Sequence, residues 1–212
     1  MAKKRFAVIG FALFAGSALA QAPQLPSNFT TTTGTYDAQY VDMAKFEYSA
    51  PAADDFKDKA ARCGISNLSV DSFVAKDASQ SWIGPATGRL YNDGTNTVFE
   101  GSDVLRYVSD TQDVVILKGR EKFGKNKMGL IGLVSDPSGE SFKSQLDFIV
   151  ELAKSGDVYS ITFSEIKRAD QSTGYIENSG FSPIGVWKGS RAEEIVPVIE
   201  SVAEKLNACM QS

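Results

Sequence analysis

The chain has 212 residues, of which 22 are basic, 26 are acidic and none is histidine, a net charge of −4 at neutral pH. The missing imidazole excludes Ser-His-Asp and Cys-His catalysis and every histidine-built metal site. The acidic balance leaves no basic footprint for generic binding to nucleic acid.

The N-terminus reads Met1-Ala2-Lys3-Lys4-Arg5, followed by an apolar run from Phe6 to Ala15 and then Gly16-Ser17-Ala18-Leu19-Ala20. A positive flank, a short apolar core and small residues at a cut site are the parts of a secretory signal peptide. Residues 1–20 are therefore expected to be a signal peptide, cleaved between Ala20 and Gln21. A spanning helix needs about 20 apolar residues; this run is shorter, and Gly16 and Ser17 interrupt it. Gln21 stands where a lipoprotein needs cysteine. No later stretch is long and apolar enough to span, so no membrane span is expected after signal removal, and the product is expected to be periplasmic or secreted. Removing Lys3, Lys4 and Arg5 leaves 19 basic residues against 26 acidic ones, a net charge of −7.

Residues 21–35 are Pro- and Thr-rich with little to bury, which predicts a flexible lead. Residues 36–212 are enough for one domain with a sizeable core. In residues 52–63, Phe56, Ala60 and Cys63 recur on one helical face, with Asp54 and Asp55 in the first turn and Gly64 at the stop position. Arg89–Tyr91 and Thr97–Phe99 read as strands joined by a turn at Asn92-Asp93-Gly94. Ser102–Val108 fits either a strand or a short helix. Val114–Leu117 and Met128–Val134 read as strands, the latter closed by a turn at Asp136-Pro137-Ser138-Gly139. The clearest signal is a hairpin over 142–166. Leu146, Phe148, Val150 and Leu152 alternate with polar residues, Lys154-Ser155-Gly156-Asp157 turns, and Tyr159, Ile161 and Phe163 resume the alternation. Residues 168–189 read as a surface loop. Ser190-Arg191-Ala192-Glu193 has capping-box spacing, and Ile195, Ile199, Val202, Leu206 and Cys209 follow on one helical face, with Pro197 near the start. The order predicts an α+β fold: an antiparallel sheet with an N-terminal helix and a long C-terminal helix packed on one face.

Cys63 and Cys209 are the only cysteines. Both fall on apolar helical faces near helix C-termini, and in an oxidising compartment they are expected to form one disulfide. They are too few for a cysteine-built metal site and lack C-x-x-C spacing.

Near-matches to catalytic motifs fail on particular residues. Gly119 to Asn126 approaches a P-loop, but Asn126 stands where a Ser or Thr must bind magnesium, and an apparent strand follows instead of a helix. Ser164-Glu165-Ile166-Lys167 matches S-x-x-K, yet Ser164 falls in a strand rather than at a helix start. Lys118, Arg120, Lys122, Lys125 and Lys127 form a basic strip, read either as an anion-binding patch or as lysines that keep an edge strand soluble. Trp82 and Trp187, each beside glycines, are expected to be core aromatics each capping one end of the sheet, the alternative being that they line a pocket or contact a partner.

No catalytic residue, metal ligand or cofactor site follows from these residues. The expectation is a non-enzymatic envelope protein that binds a small apolar or anionic ligand or an envelope component. The rival readings are a histidine-free hydrolase using paired carboxylates on an envelope glycan and a structural envelope component.

Overall fold

The 142–166 alternation becomes the centre of the sheet. In the computed structural model, which describes residues 23–51, 55–124, 143–171 and 178–212, strands β7 (Ser144–Ser155) and β8 (Val158–Asp170) pair along almost their whole length. Gly156 and Asp157 close them, and Gly156 takes the positive φ of +62° that a tight hairpin turn requires. On β7's other side lies β6 (Val114–Phe123), followed by β5 (Leu105–Val108). On β8's other side lies β2 (Gln39–Ser49), then β1 (Phe29–Thr33). The sheet is antiparallel, in the order β1-β2-β8-β7-β6-β5, and a two-residue β9 (Ser182–Pro183) also pairs with β8. Among the described residues, two α-helices, α1 (Phe56–Asn67) and α2 (Ala192–Gln211), give an α+β architecture.

One face of the sheet and both helices share a core. Leu117, Leu146, Phe148, Val150, Leu152, Tyr159, Ile161 and Phe163 are buried with Phe56, Ala60 and Cys63 of α1 and Ile195, Ile199, Val202 and Leu206 of α2. Cys63 and Cys209 are bonded to one another, with Cα atoms 5.7 Å apart, and so staple the two helices near their C-terminal ends.

Several local expectations are corrected. Gly64 does not stop α1. The helix runs on to Asn67, and Gly64 lies against Leu117, where a Cβ would collide with that side chain. Ser190 and Glu193 do not form a capping box. Arg191 precedes the first turn of α2 with a φ of +68° and pairs with Glu194 at 2.8 Å. Residues 21–35 are not wholly a lead. Phe29 reaches the core and Phe29–Thr33 pairs with β2 as an edge strand. Residues 182–186, placed in the expected surface loop, are part of the sheet and bury Ile184.

Asn92-Asp93-Gly94 is not a turn. It lies inside β4 (Leu90–Phe99), which pairs with β3 (Phe73–Ile83), and the connection is at 84–89. Longer strands win because they bring Phe73 onto Phe99, stacked at 4.7 Å, with Phe181 edge-on to both. Those rings and Ala75 pack on Ala169 of β8 as a small second core. Leu105–Val108, open between helix and strand in sequence, is strand β5. Met128–Val134 and the turn at Asp136–Gly139 lie outside the described residues, as do the expected signal peptide and the Ala20–Gln21 cut site.

Candidate functional site

β2 and β8 begin as partners and then part. They pair from Ser49 opposite Val158 to Ala44 opposite Phe163, and no further. Each strand carries a bulge at the point of separation. In β2, Asp42 is the extra residue against β1, since Met43 faces Thr30 and Val41 faces Thr31. In β8, Glu165 and Ile166 together oppose the single Phe148, because Ser164 faces Ile149 and Lys167 faces Asp147. Glu165 has a φ of +49°, the left-handed conformation that glycine usually supplies in such a bulge. Bulges bend their strands, and two bulges on neighbouring strands open the sheet into a V.

The segment 182–186 bridges the open end of the V. β9 pairs with Lys167 and Arg168 of β8, while the Val41 amide donates to the Ile184 carbonyl at 2.8 Å and Val186 donates to Gln39 at 2.8 Å. What stays open is a groove of about 470 Å³. Val41, Ile166, Pro183 and Tyr40 give it an apolar lining, and Asp42, Glu165 and Lys167 add charge. Lys167 pairs with Glu165 at 3.1 Å, whereas Asp42 has no ion pair among the described residues. Tyr40 is braced edge-on by Trp187, with ring centroids 5.6 Å apart.

The loop joining β1 to β2 sits beside this groove. Gly34 and Thr35 line it, and Gly34 lies so near the Tyr40 ring that a Cβ would stand 2.6 Å from it. Tyr36 and Asp37 follow with φ near +59° and +58°, and Tyr36 is 98 % exposed. Of the four non-glycine residues with positive φ in the described chain, Glu165 lines the groove, Tyr36 and Asp37 follow the lining residues Gly34 and Thr35 in the neighbouring loop, and Arg191 is the fourth. Each such residue costs on the order of 1–3 kcal/mol, and such strain tends to collect at ligand clamps and active sites.

The basic strip is distributed differently from its expected form. β5 pairs with β6 only from Val115 to Leu117, so Lys118, Arg120 and Lys122 lie on the part of β6 beyond β5, while Arg120 sits opposite Asp147 on the other side. Arg120 Nε donates to Asp147 at 3.1 Å, and Lys118 pairs with the same carboxylate at 2.9 Å. Arg120 also donates to the carbonyls of Asp71 and Glu100, at 2.7 and 3.2 Å, and lies against the rings of Phe73 and Phe181. This buried arginine ties the base of β3–β4 to the sheet. Lys122 is exposed beside a pocket of about 260 Å³ that also holds Asp71 and the buried Gln145, whose side-chain nitrogen has no partner among the described residues. Lys125 and Lys127 lie outside the described residues.

The other sequence candidates also find their places. Gly119–Phe123 of the near P-loop is strand, not phosphate loop. Ser164 is in β8, and Lys167 is engaged by Glu165. Trp82 and Trp187 are not core residues; they are 47 % and 46 % exposed, Trp82 in the separate two-stranded β3–β4 ribbon and Trp187 in the connection between β9 and α2. The groove itself was not anticipated. A signal for it exists in residues 39–49, where Ala44, Phe46 and Tyr48 alternate with Lys45 and Glu47, while Val41 stands three residues before Ala44 and breaks the period of two. That slip is the bulge at Asp42.

No protein-family model matches the chain, and no curated protein is similar to it in sequence. Among solved structures it is similar to a DUF4468 family protein from Bacteroides ovatus, with 7 % identity and a TM-score of 0.40 over 80 % of each chain.

Proposed function

We propose that this is an exported protein of a bacterial-type cell envelope, periplasmic or secreted, which binds a small and largely apolar ligand in the groove between β2 and β8 without turning it over. The N-terminal pattern of residues 1–20 supports export. The observation that carries the binding reading is the pair of facing bulges, one with a strained Glu165, around an apolar-lined groove. Strained backbone persists where surrounding structure holds it, and a concave apolar site with few charged groups is the usual form of a ligand pocket. The apolar lining would take the body of the ligand, and Asp42 would select for a donor or cationic group at its end.

Native mass spectrometry on protein purified from its own host tests this reading. The expected result is a bound mass that is lost when Pro183→Arg places a long charged side chain across the groove. A chain that always emerges bare would sink it. The nearness of Asp42 and Glu165 to the same groove favours one second reading, a histidine-free hydrolase acting on an envelope glycan through two carboxylates. Turnover of peptidoglycan fragments, lost in both Asp42→Asn and Glu165→Gln, would establish that reading in place of simple binding.

A further inference from the structure

The β3–β4 ribbon has a packed base and a solvent-exposed tip. At the base, the Phe73–Phe99 stack rests on Ala169 and beneath Arg120. At the tip, Trp82 opposes Tyr91 and Ile83 opposes Leu90. Successive residues of a strand point to opposite faces. Trp82 is nevertheless 47 % exposed, Ile83 67 % and its partner Leu90 65 %. Both faces of the tip are therefore apolar and open to solvent. The connection at 84–89 is already ordered, with Gly84 donating to Arg89 at 2.9 Å and Gly88 donating to Gly84 at 2.8 Å.

The tip carries a small positive charge. Residues 82–90 read Trp-Ile-Gly-Pro-Ala-Thr-Gly-Arg-Leu, with one cation and no acid, in a chain that has 26 acidic residues. A protein partner, or a second copy, would cover one face of a ribbon and leave the other wet. A lipid interface surrounds the tip and covers both faces together. Tryptophan suits the headgroup level, where its ring is apolar and its N–H stays hydrated. Arg89 can reach lipid phosphate, and the lack of carboxylates removes repulsion from anionic headgroups.

We propose that the tip of the β3–β4 hairpin, carried by Trp82, Ile83 and Leu90 with Arg89 beside them, docks the protein on the surface of a phospholipid bilayer. Depth is limited by the backbone. The outer edges of a two-stranded ribbon need water for their N–H and C=O groups, so the tip stops in the interfacial layer, about 5–10 Å deep. This is an attachment site separate from the groove, and it stands or falls independently of what the groove binds.

The test uses the full chain with vesicles of phosphatidylcholine and phosphatidylglycerol. Any contribution of the apolar run Phe6–Ala15 is common to all variants. Tryptophan emission is expected to shift to the blue on lipid addition and to be quenched by brominated acyl chains. Trp82→Phe removes both signals while Trp187 remains as a reference. The exposed double substitution Ile83→Ser/Leu90→Ser, with Trp82 kept, is expected to reduce the quenching at least about fivefold, the scale of two partly buried aliphatic side chains. Emission that does not respond to saturating lipid would overturn the proposal, as would quenching that survives the double substitution. A blue shift that grows with protein concentration in the absence of lipid would assign the tip to a second copy instead, and would also overturn it.

Discussion

Two of the molecule's β-hairpins are built on different terms. β7–β8 turns through Gly156 and Asp157, has neighbouring strands on both sides and lies under α1 and α2. β3–β4 turns through six residues, pairs with no other strand among the described residues and is held at its base by three phenylalanines and Arg120. Alternation is clean in the first from Leu146 to Leu152 and from Tyr159 to Phe163, where every second residue is excluded from water, before the bulge at Glu165 and Ile166. In the second, apolar residues also occupy positions that face solvent, because no cover imposes a period. Apolar content therefore reports a core in one hairpin and a contact surface in the other, and only the surrounding elements tell the two apart.

Truncations of equal kind should separate the hairpins most sharply. Phe148→Ala, in a side chain 1 % exposed, is expected to cost about 3–5 kcal/mol. Ile83→Ala at the ribbon tip is expected to cost less than about 0.5 kcal/mol. Urea unfolding curves measure both, and similar losses would show that the tip is packed. The disulfide provides a second contrast. Replacing Cys63 and Cys209 together by Ser opens a link spanning 146 residues, at an expected cost of about 2–5 kcal/mol. Amide exchange in β7 and β8 should accelerate by the corresponding factor. Amides at 82–90 should not change, because they exchange by local opening.

The same contrast explains what could be read from the sequence. The β7–β8 hairpin, the buried faces of α1 and α2 and the Cys63–Cys209 pairing were legible because each is governed by local period or by a unique partner. β3 escaped notice because its length is set by the distant contact of Phe73 with Phe99 and Phe181, while Asp93-Gly94 offered a better local turn than the one used. Arg120 looked like part of an open basic strip because nothing near it in sequence announces Asp147, 27 residues on. The groove was hidden for a related reason: it arises where two bulges on strands far apart in the chain meet. Only the slipped spacing between Val41 and Ala44 hinted at one of them.

Alkaline pH should act on the covered hairpin first. The Tyr159 hydroxyl donates to Asn207 Oδ1 at 2.8 Å beneath α2, and burial, with the nearby Tyr48, pushes its pKa from 10.0 up to about 12. Burial also raises Tyr48, aided by Glu204. Between those values the unfolded chain releases a proton that the folded chain keeps, so protonation favours the folded state less as pH rises. The contribution is complete below about pH 10 and is lost as pH climbs toward about 12. Urea midpoints measured across this window should fall, and Tyr159→Phe should flatten the fall. An unchanged slope in that variant would remove Tyr159 as its source.

The smallest effect concerns Glu165, where the ordered hairpin opens into the groove. Its φ of +49° is strained for any residue with a Cβ and free for glycine. Glu165→Gly and Glu165→Ala both delete the carboxylate and its 3.1 Å contact with Lys167, which is partly exposed and worth little. They differ in backbone strain, which alanine retains and glycine relieves by about 1–2 kcal/mol, against an added unfolded-state entropy of about 0.5–1 kcal/mol. The glycine variant should therefore be the more stable by up to about 1 kcal/mol. If it is, and both variants also lose the bound mass, then β8 keeps a costly conformation in order to place one carboxylate at the groove. If alanine proves as stable as glycine, the bulge is relaxed and the strain argument for a site between β2 and β8 falls with it.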